Sequence, residues 1–448
     1  MNANQHAIEP IDIGQIIDRA SWSVPQKLAI VITTMAMVLD GFDNQILALS
    51  IPLWVKVWGV AREDFQWVQV VGYVGMATGA ALFGVIGDRR GRRPVLMGCV
   101  LLFALPTLAI AFAKGLAPLY WLRFIGGMGL GGCMPNATAL LAELTPARHR
   151  PLAVTSGIVG IPLGGTLGGF IAAGVMPEQW SSLYLIGGVA PLAVALLMLL
   201  LLPESPRYLA PRPQRREDFN KLMARFGIRL DPTAVFHHDS SANSPKASLG
   251  PGVLFAPALR RDTLALWGAM FFTLLSFFGV VNWLPAILDQ AHYPPPMTGT
   301  GLMYFNLGGV VAALAGAACF NRIGSKVTLG VMALGAVVAA LCLSVIAFDP
   351  SAGSTLLLLA LTLQGACING VQTTLWPLSA AVYPTDLRGA GIGWASGIGR
   401  LGAIISPLVG NQLLALAGPH GYFAGFALTM SLSLASILWL RNHIRGKH

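Results

Sequence analysis

Charged side chains are scarce in this 448-residue sequence: Asp, Glu, Lys and Arg make up 11% of it, where a soluble domain carries about 25%. Set against 55% apolar residues, that deficit excludes an ordinary soluble globular protein. Cysteine is sparse too. Cys99, Cys133, Cys319, Cys342 and Cys367 all lie in apolar stretches and none forms a C-x-x-C pair, which excludes a disulfide framework and a thiolate zinc site. Histidine is missing from every long apolar run. His6, His149, His237, His238, His292, His420, His443 and His448 fall in loops or tails, so no imidazole is available as a proton carrier at membrane depth. There is no H-E-x-x-H pattern, and neither a metal, a cofactor nor an enzymatic activity is expected. Residues 1–25 hold Glu9, Asp12 and Asp18 without an apolar core, so they do not read as a cleavable signal peptide.

Long apolar runs are what the sequence does have. They are roughly 20 to 28 residues each, enough to cross a hydrocarbon layer of about 30 Å as helix. They do not alternate in the manner of barrel strands, as Leu192 to Leu202 illustrates. The expected fold is an all-α integral membrane protein with twelve transmembrane helices, at 26–54, 64–86, 95–113, 117–142, 150–174, 181–202, 263–288, 298–320, 326–347, 354–382, 388–415 and 420–440. A polar stretch splits them six and six. The expected organisation is an N-terminal segment (1–25), a six-helix bundle (26–202), a linker (203–262) that is amphipathic near 214–226, a second bundle (263–440) and a tail (441–448).

All but five of the 29 Lys and Arg residues fall in loops on one side of these spans. Lys56, Arg62 and Lys114 lie on the other side, and Arg123 and Arg400 lie inside spans. Positive charge marks the cytoplasmic side, so both termini are expected there. The net charge of +10 then reflects topology, and no nucleic-acid partner is expected. Trp54, Trp58, Trp67, Tyr120, Trp121 and Trp180 cluster at the opposite ends of their spans, as an external aromatic belt would.

The two halves repeat. Asp88, Arg89, Gly91 and Arg93 after the second span align with Asn321, Arg322, Gly324 and Lys326 after the eighth. Pro146 and Arg150 after the fourth match Pro384 and Arg388 after the tenth. Two parallel copies of a six-span unit are the architecture of carriers whose halves rock about a site at the bilayer midplane.

With Gly84, Asp88, Arg89, Gly91, Arg92 and Arg93 in a G-x-x-x-D-R-x-G-R-R loop, the sequence resembles the major facilitator superfamily. DGFD (40–43), LRFIGGMGLGGCMPNATALLAELTP (122–146), PESPRYL (203–209) and GIGRLGAIISP (397–407) look more narrowly like its aromatic acid:proton symporter family. The resemblance implies a multi-pass carrier of a bacterial inner membrane, working as a monomer by alternating access. It also implies a cytoplasmic gate built from the loop residues with Arg150 and Arg388. The first, fourth, seventh and tenth spans would then line the substrate cavity. Asn321 and Ser325 stand where the family's second-half loop is more usually charged.

Ionisable groups at membrane depth cost about 2.5 to 3.5 kcal/mol each on insertion scales and are functional candidates for that reason. Asp40 and Asp43 stand i, i+3 on the first span, and are expected to share one face and couple protons. Glu143 is an alternative relay or a gate partner. Arg123 enters at a depth that permits contact with Asp43, and is also a candidate to line the cavity and bind substrate. Arg400 lies near mid-membrane with no acid in its own helix, and its guanidinium suits a substrate carboxylate. Asn369, Gln372, Thr373 and Trp376 form a polar stripe on the tenth span, and Phe277, Phe278 and Trp283 of the seventh are candidates to pack a ring. Dense glycines in the fourth and fifth spans are expected to serve helix packing. The expected function is proton-coupled uptake of a small aromatic carboxylate of the benzoate or hydroxybenzoate class, its partners being that acid, protons and the bilayer. The two carboxylates permit two protons per substrate. The rivals are a proton symporter for a sugar or non-aromatic organic acid, and an efflux antiporter.

Overall fold

The computed structural model describes residues 11–175, 179–228, 236–237, 251–346, 348–384 and 387–444. The linker stretch 239–248, His6, His238, His448 and the side chain of Asn321 lie outside the described residues.

Backbone polar groups in lipid must be satisfied within the chain, which makes each apolar run a helix. The first half comprises α1 (Val24–Trp58), α2 (Phe65–Arg90), α3 (Arg92–Ile110), α4 (Leu116–Leu144), α5 (Arg150–Ala173) and α6 (Ser181–Leu201). The second comprises α7 (Arg260–Gln290), α8 (Pro295–Ile323), α9 (Ser325–Val345), α10 (Thr355–Val382) and the 52-residue run Arg388–Trp439. That run breaks at Gly418 (φ 62°, ψ −166°), giving α11 (388–417) and α12 (419–439). Among the described residues ten helices are long and apolar enough to cross a membrane. The glycines and Asn136 of α4 dilute its apolar character, and the fused run counts once, which accounts for the twelve spans.

The halves are built alike. In the first, α1 packs on α5 and α2 on α4; in the second, α7 packs on the 388–439 run and α8 on α10. Between halves, α5 meets α8 and α2 meets α11, pairs that the same six-helix repeat exchanges. Of the linker, Arg216–Arg225 is helical and buries Phe219, Leu222 and Met223, as its amphipathic pattern requires. A two-residue parallel pairing of Ile11–Asp12 with Phe236–His237 ties the segment before α1 to the linker.

The two ends of the molecule differ. At the end away from the basic loops the halves are bonded together: Lys56 to Asp289 at 2.6 Å, and Arg62 to the side-chain Oε1 of Gln290 at 2.8 Å. Deeper, the buried amides of Gln45 and Asn306 exchange hydrogen bonds of 2.9 and 2.7 Å. Nearby, α5 and α8 touch backbone to backbone: a Cβ on Gly299 would lie 2.5 Å from the Gly169 carbonyl oxygen. At the basic end the bonds turn inward on each half, as in Arg150 to Asp18 and Arg93 to the Leu199 carbonyl on one side, and Arg261 to the Trp439 carbonyl on the other.

A candidate substrate cavity between the halves

Near mid-depth the halves enclose a cavity. Helix α1 supplies Asp40 and Asn44, and α10 supplies Gln372 and Trp376; each pair is spaced i, i+4 and so shares a helix face. The aromatic rings of Tyr73, Phe277 and Phe278 add apolar wall, and Arg400 of α11 contributes the cation. Asp40 is 4% exposed and lies near the Cys133 thiol. Arg400 acts on Asp40 electrostatically from the other half without closing an ion pair. Its Nη1 donates a long 3.4 Å bond to the Met76 carbonyl, which leaves most of a five-donor guanidinium unsatisfied. Such a group in a low-dielectric cleft attracts a carboxylate, which it can bind with two parallel hydrogen bonds. The Tyr73 hydroxyl donates to Asn282 Oδ1 at 2.6 Å, and the Tyr73 and Phe278 rings pack at 4.8 Å, so the cavity wall itself bridges the halves.

Asp43 belongs to a different environment. It accepts hydrogen bonds from the Thr107 hydroxyl of α3 and from Arg123 Nη1 of α4, the latter at 3.2 Å. Arg123 Nη2 donates to the Tyr184 hydroxyl of α6 at 3.3 Å, and its guanidinium lies 5.5 Å from the centre of that ring. Asp43 and Arg123 are 1% and 6% exposed, sealed inside the first half. Two sequence expectations are corrected here. Arg123 faces Asp43 and Tyr184 rather than the cavity, and Asp40 and Asp43 do not serve one surface. Three residues turn the helix by about 300°, leaving about 60° between the side chains, enough to direct one to the cavity and the other into the bundle. Helix α1 runs unbroken through Gly41.

The tenth-span stripe also divides. Gln372 and Trp376 reach the cavity, whereas Asn369 is buried, donates to the Gly365 carbonyl at 2.9 Å and packs where Gly309 of α8 leaves room. Trp283 is fully buried at the bonded end. Its indole N–H donates to the Pro407 carbonyl at 3.1 Å, and the Arg62 guanidinium lies 5.8 Å from its ring centre. Placing Asn369 and Trp283 in the site is therefore corrected: both sit on helix faces already covered by neighbouring helices.

At the basic end, Asp88 is half exposed and pairs with Arg92 one turn along, rather than capping α11 as a gate carboxylate there would. Arg89 and Arg388 are exposed, and the Arg89 carbonyl accepts from Arg212. Gly84 has open space beside it, while Gly91 adopts φ 105° and leaves no room for a Cβ, which would collide with the Glu204 carboxylate. Glu204, overlooked in the sequence, organises this loop. Its Oε1 accepts the backbone N–H groups of Arg92 and Arg93 at 3.1 Å and of Ser205 at 2.8 Å, an anion seated on the α3 N-terminus. Burial pushes its carboxyl above the usual range, while those three N–H donors pull the other way. Glu143 accepts from the Ser205 hydroxyl and lies 3.8 Å from Arg92, so it joins this loop cluster and not the cavity.

Two six-helix halves around a shared cavity, bonded to each other at one end, define a membrane carrier. The chain belongs to the major facilitator superfamily: the profile of the Major Facilitator Superfamily matches residues 33–407. Within it, the chain is 35% identical over 408 residues to the gallate transporter of Pseudomonas putida, covering 91% of this chain and 90% of that one. It is 34% identical over 434 residues to the 4-hydroxybenzoate transporter PcaK of Pseudomonas aeruginosa, 96% of each. In fold it matches the partially occluded, inward-open xylose transporter XylE of E. coli with a TM-score of 0.75 at 16% identity, covering 95% of this chain and 100% of that one.

Proposed function

We propose that this carrier takes up a small aromatic carboxylate of the benzoate or hydroxybenzoate class together with protons, across a bacterial inner membrane, as a monomer with both termini in the cytoplasm. The observation that carries the reading is Arg400, an under-bonded guanidinium in a cavity walled by Tyr73, Phe277, Phe278 and Trp376. The substrates for which the similar proteins are named, gallate and 4-hydroxybenzoate, are aromatic acids and support it. Arg400 holds the carboxylate, Trp376 and the phenylalanines pack the ring, and Asp40 carries the proton. Asp43 and Arg123 fasten α1 to α3, α4 and α6, so that Asp40 moves with the whole first half. Gly84, Asp88, Arg89, Gly91, Arg92, Arg93, Glu143, Arg150 and Arg388 form the cytoplasmic gate. With the basic loops inside, the bonded end is external and the form described is inward-facing.

The test is uptake by the purified chain in liposomes under an imposed pH gradient, with labelled benzoate, 4-hydroxybenzoate, a dihydroxybenzoate and glucose. Accumulation of the aromatic acids and not of glucose is expected. Accumulation of glucose, or of no aromatic acid, refutes the reading.

A further inference from the structure

Two side-chain amides in the cavity have no hydrogen-bond partner among the described residues. Asn44 stands one turn of α1 beyond Asp40, and Gln372 one turn of α10 before Trp376; both line the cavity and neither side chain makes a hydrogen bond there. Gln69 and Gln364 also lack side-chain partners, but they are buried among helices and do not line the cavity; several other amides are occupied. Gln45 and Asn306 satisfy each other, Asn282 accepts from Tyr73, and Asn369 donates to its own helix. An amide offers both a donor and an acceptor, and an amide left without either partner in a cleft is placed for a ligand group that supplies both.

We propose that Asn44 and Gln372 read a hydroxyl on the aromatic ring, so that the acid carried is a ring-hydroxylated benzoate and unsubstituted benzoate is a poor ligand. The inference rests on the aromatic-carboxylate reading. Arg400 is the cation of the cavity, so it takes the carboxylate; the ring then lies among Phe277, Phe278 and Trp376, and its far edge meets the amides. A phenolic hydroxyl donates one hydrogen bond and accepts others, which matches one amide oxygen and one amide N–H. The two amides come from opposite halves, Asn44 from the first and Gln372 from the second. A hydroxyl between them ties the halves together about the substrate, which a bare ring edge cannot do.

The test measures dissociation constants by calorimetry for benzoate, 3-hydroxybenzoate, 4-hydroxybenzoate and 3,4-dihydroxybenzoate on the full-length purified chain, for wild type, Asn44→Leu and Gln372→Leu. Two hydrogen bonds of ordinary net strength predict that wild type binds at least one hydroxylated acid about tenfold tighter than benzoate. In each leucine variant that ratio should fall to about threefold or less, while benzoate still binds, which reports an intact cavity. Equal wild-type affinities for benzoate and every hydroxylated acid overturn the inference but leave the aromatic-carboxylate reading standing. A preference that persists in both variants overturns the assignment of Asn44 and Gln372. Failure of all four acids to bind wild type overturns the underlying reading and this inference with it.

Discussion

Asp43 and Arg123 form an ion pair at 3.2 Å that is buried within a single half of the carrier. Because Thr107 and Tyr184 complete it, the pair joins four helices and leaves Asp40 as the carboxylate facing the cavity. Breaking a buried pair strands an uncompensated charge, which costs about 3–5 kcal/mol. Asp43→Asn and Arg123→Gln should each lower stability by about that much, and the double variant by clearly less than their sum, as read from reversible unfolding in mixed detergent micelles. Additive losses would show that the two side chains do not act as a pair.

One carboxylate at the cavity changes the expected stoichiometry. The sequence permits two protons, but with Asp43 engaged by Arg123 the geometry favours one, carried by Asp40. A monoanion moving with one proton transfers no net charge. Uptake should then respond to pH alone, with about 1.4 kcal/mol per unit, and an inside-negative potential at equal pH should not stimulate it. A second proton would add about 2.3 kcal/mol per 100 mV, so potential-driven accumulation in liposomes would overturn the one-proton account.

The contact between Gly169 and Gly299 sets how tightly the bonded end closes. A Cβ at Gly299 would meet the Gly169 carbonyl at 2.5 Å and the Ala173 amide nitrogen at 2.5 Å, and backbone cannot yield as a side-chain tip does. Gly299→Val should therefore hold this end apart. Spin labels placed across it on α5 and α8 should report a longer distance than in wild type, and the transport rate should fall by more than tenfold, about 1.4 kcal/mol on the closing step. An unchanged distance distribution would show that these glycines do not govern closure.

Glu204 gives the basic end a pH response. Its carboxyl titrates above the ordinary range because it is buried, so the folded chain holds that proton to higher pH than the unfolded chain. The stability contributed here is therefore greatest below the ordinary carboxylate pKa and declines as pH rises through the raised value. Glu204→Gln should flatten that slope, while Glu204→Ala, which removes the acceptor from three N–H groups, should cost about 1–3 kcal/mol. A wild-type slope that survives in Glu204→Gln would assign it to another group.

The spans and the doubling were legible because lipid demands about 20 apolar residues per crossing and because the loop motif recurs. Asp40, Gln372, Trp376 and Arg400 were legible as sparse polar groups within apolar helices. What the sequence did not reveal was azimuth. Arg123, Asn369 and Trp283 have the right chemistry and depth, yet each turns to a neighbouring helix rather than the cavity, and no local pattern distinguishes those faces. Gln45 and Asn306 lie 261 residues apart, so only the folded halves reveal the reciprocal pair. Glu204 sits just beyond an apolar run, in a PESPR segment whose carboxylate gains meaning from the α3 N-terminus packed against it.

The most direct measurement records the medium itself. Liposomes holding the purified chain in weakly buffered medium, with an inside-negative potential collapsed by valinomycin and equal potassium, receive 4-hydroxybenzoate while external pH is followed. Proton symport predicts a rise in external pH with wild type, stoichiometric with labelled uptake, and no rise with Asp40→Asn although both proteins insert equally. Uptake of the acid by wild type without any change in external pH would contradict the account at its centre.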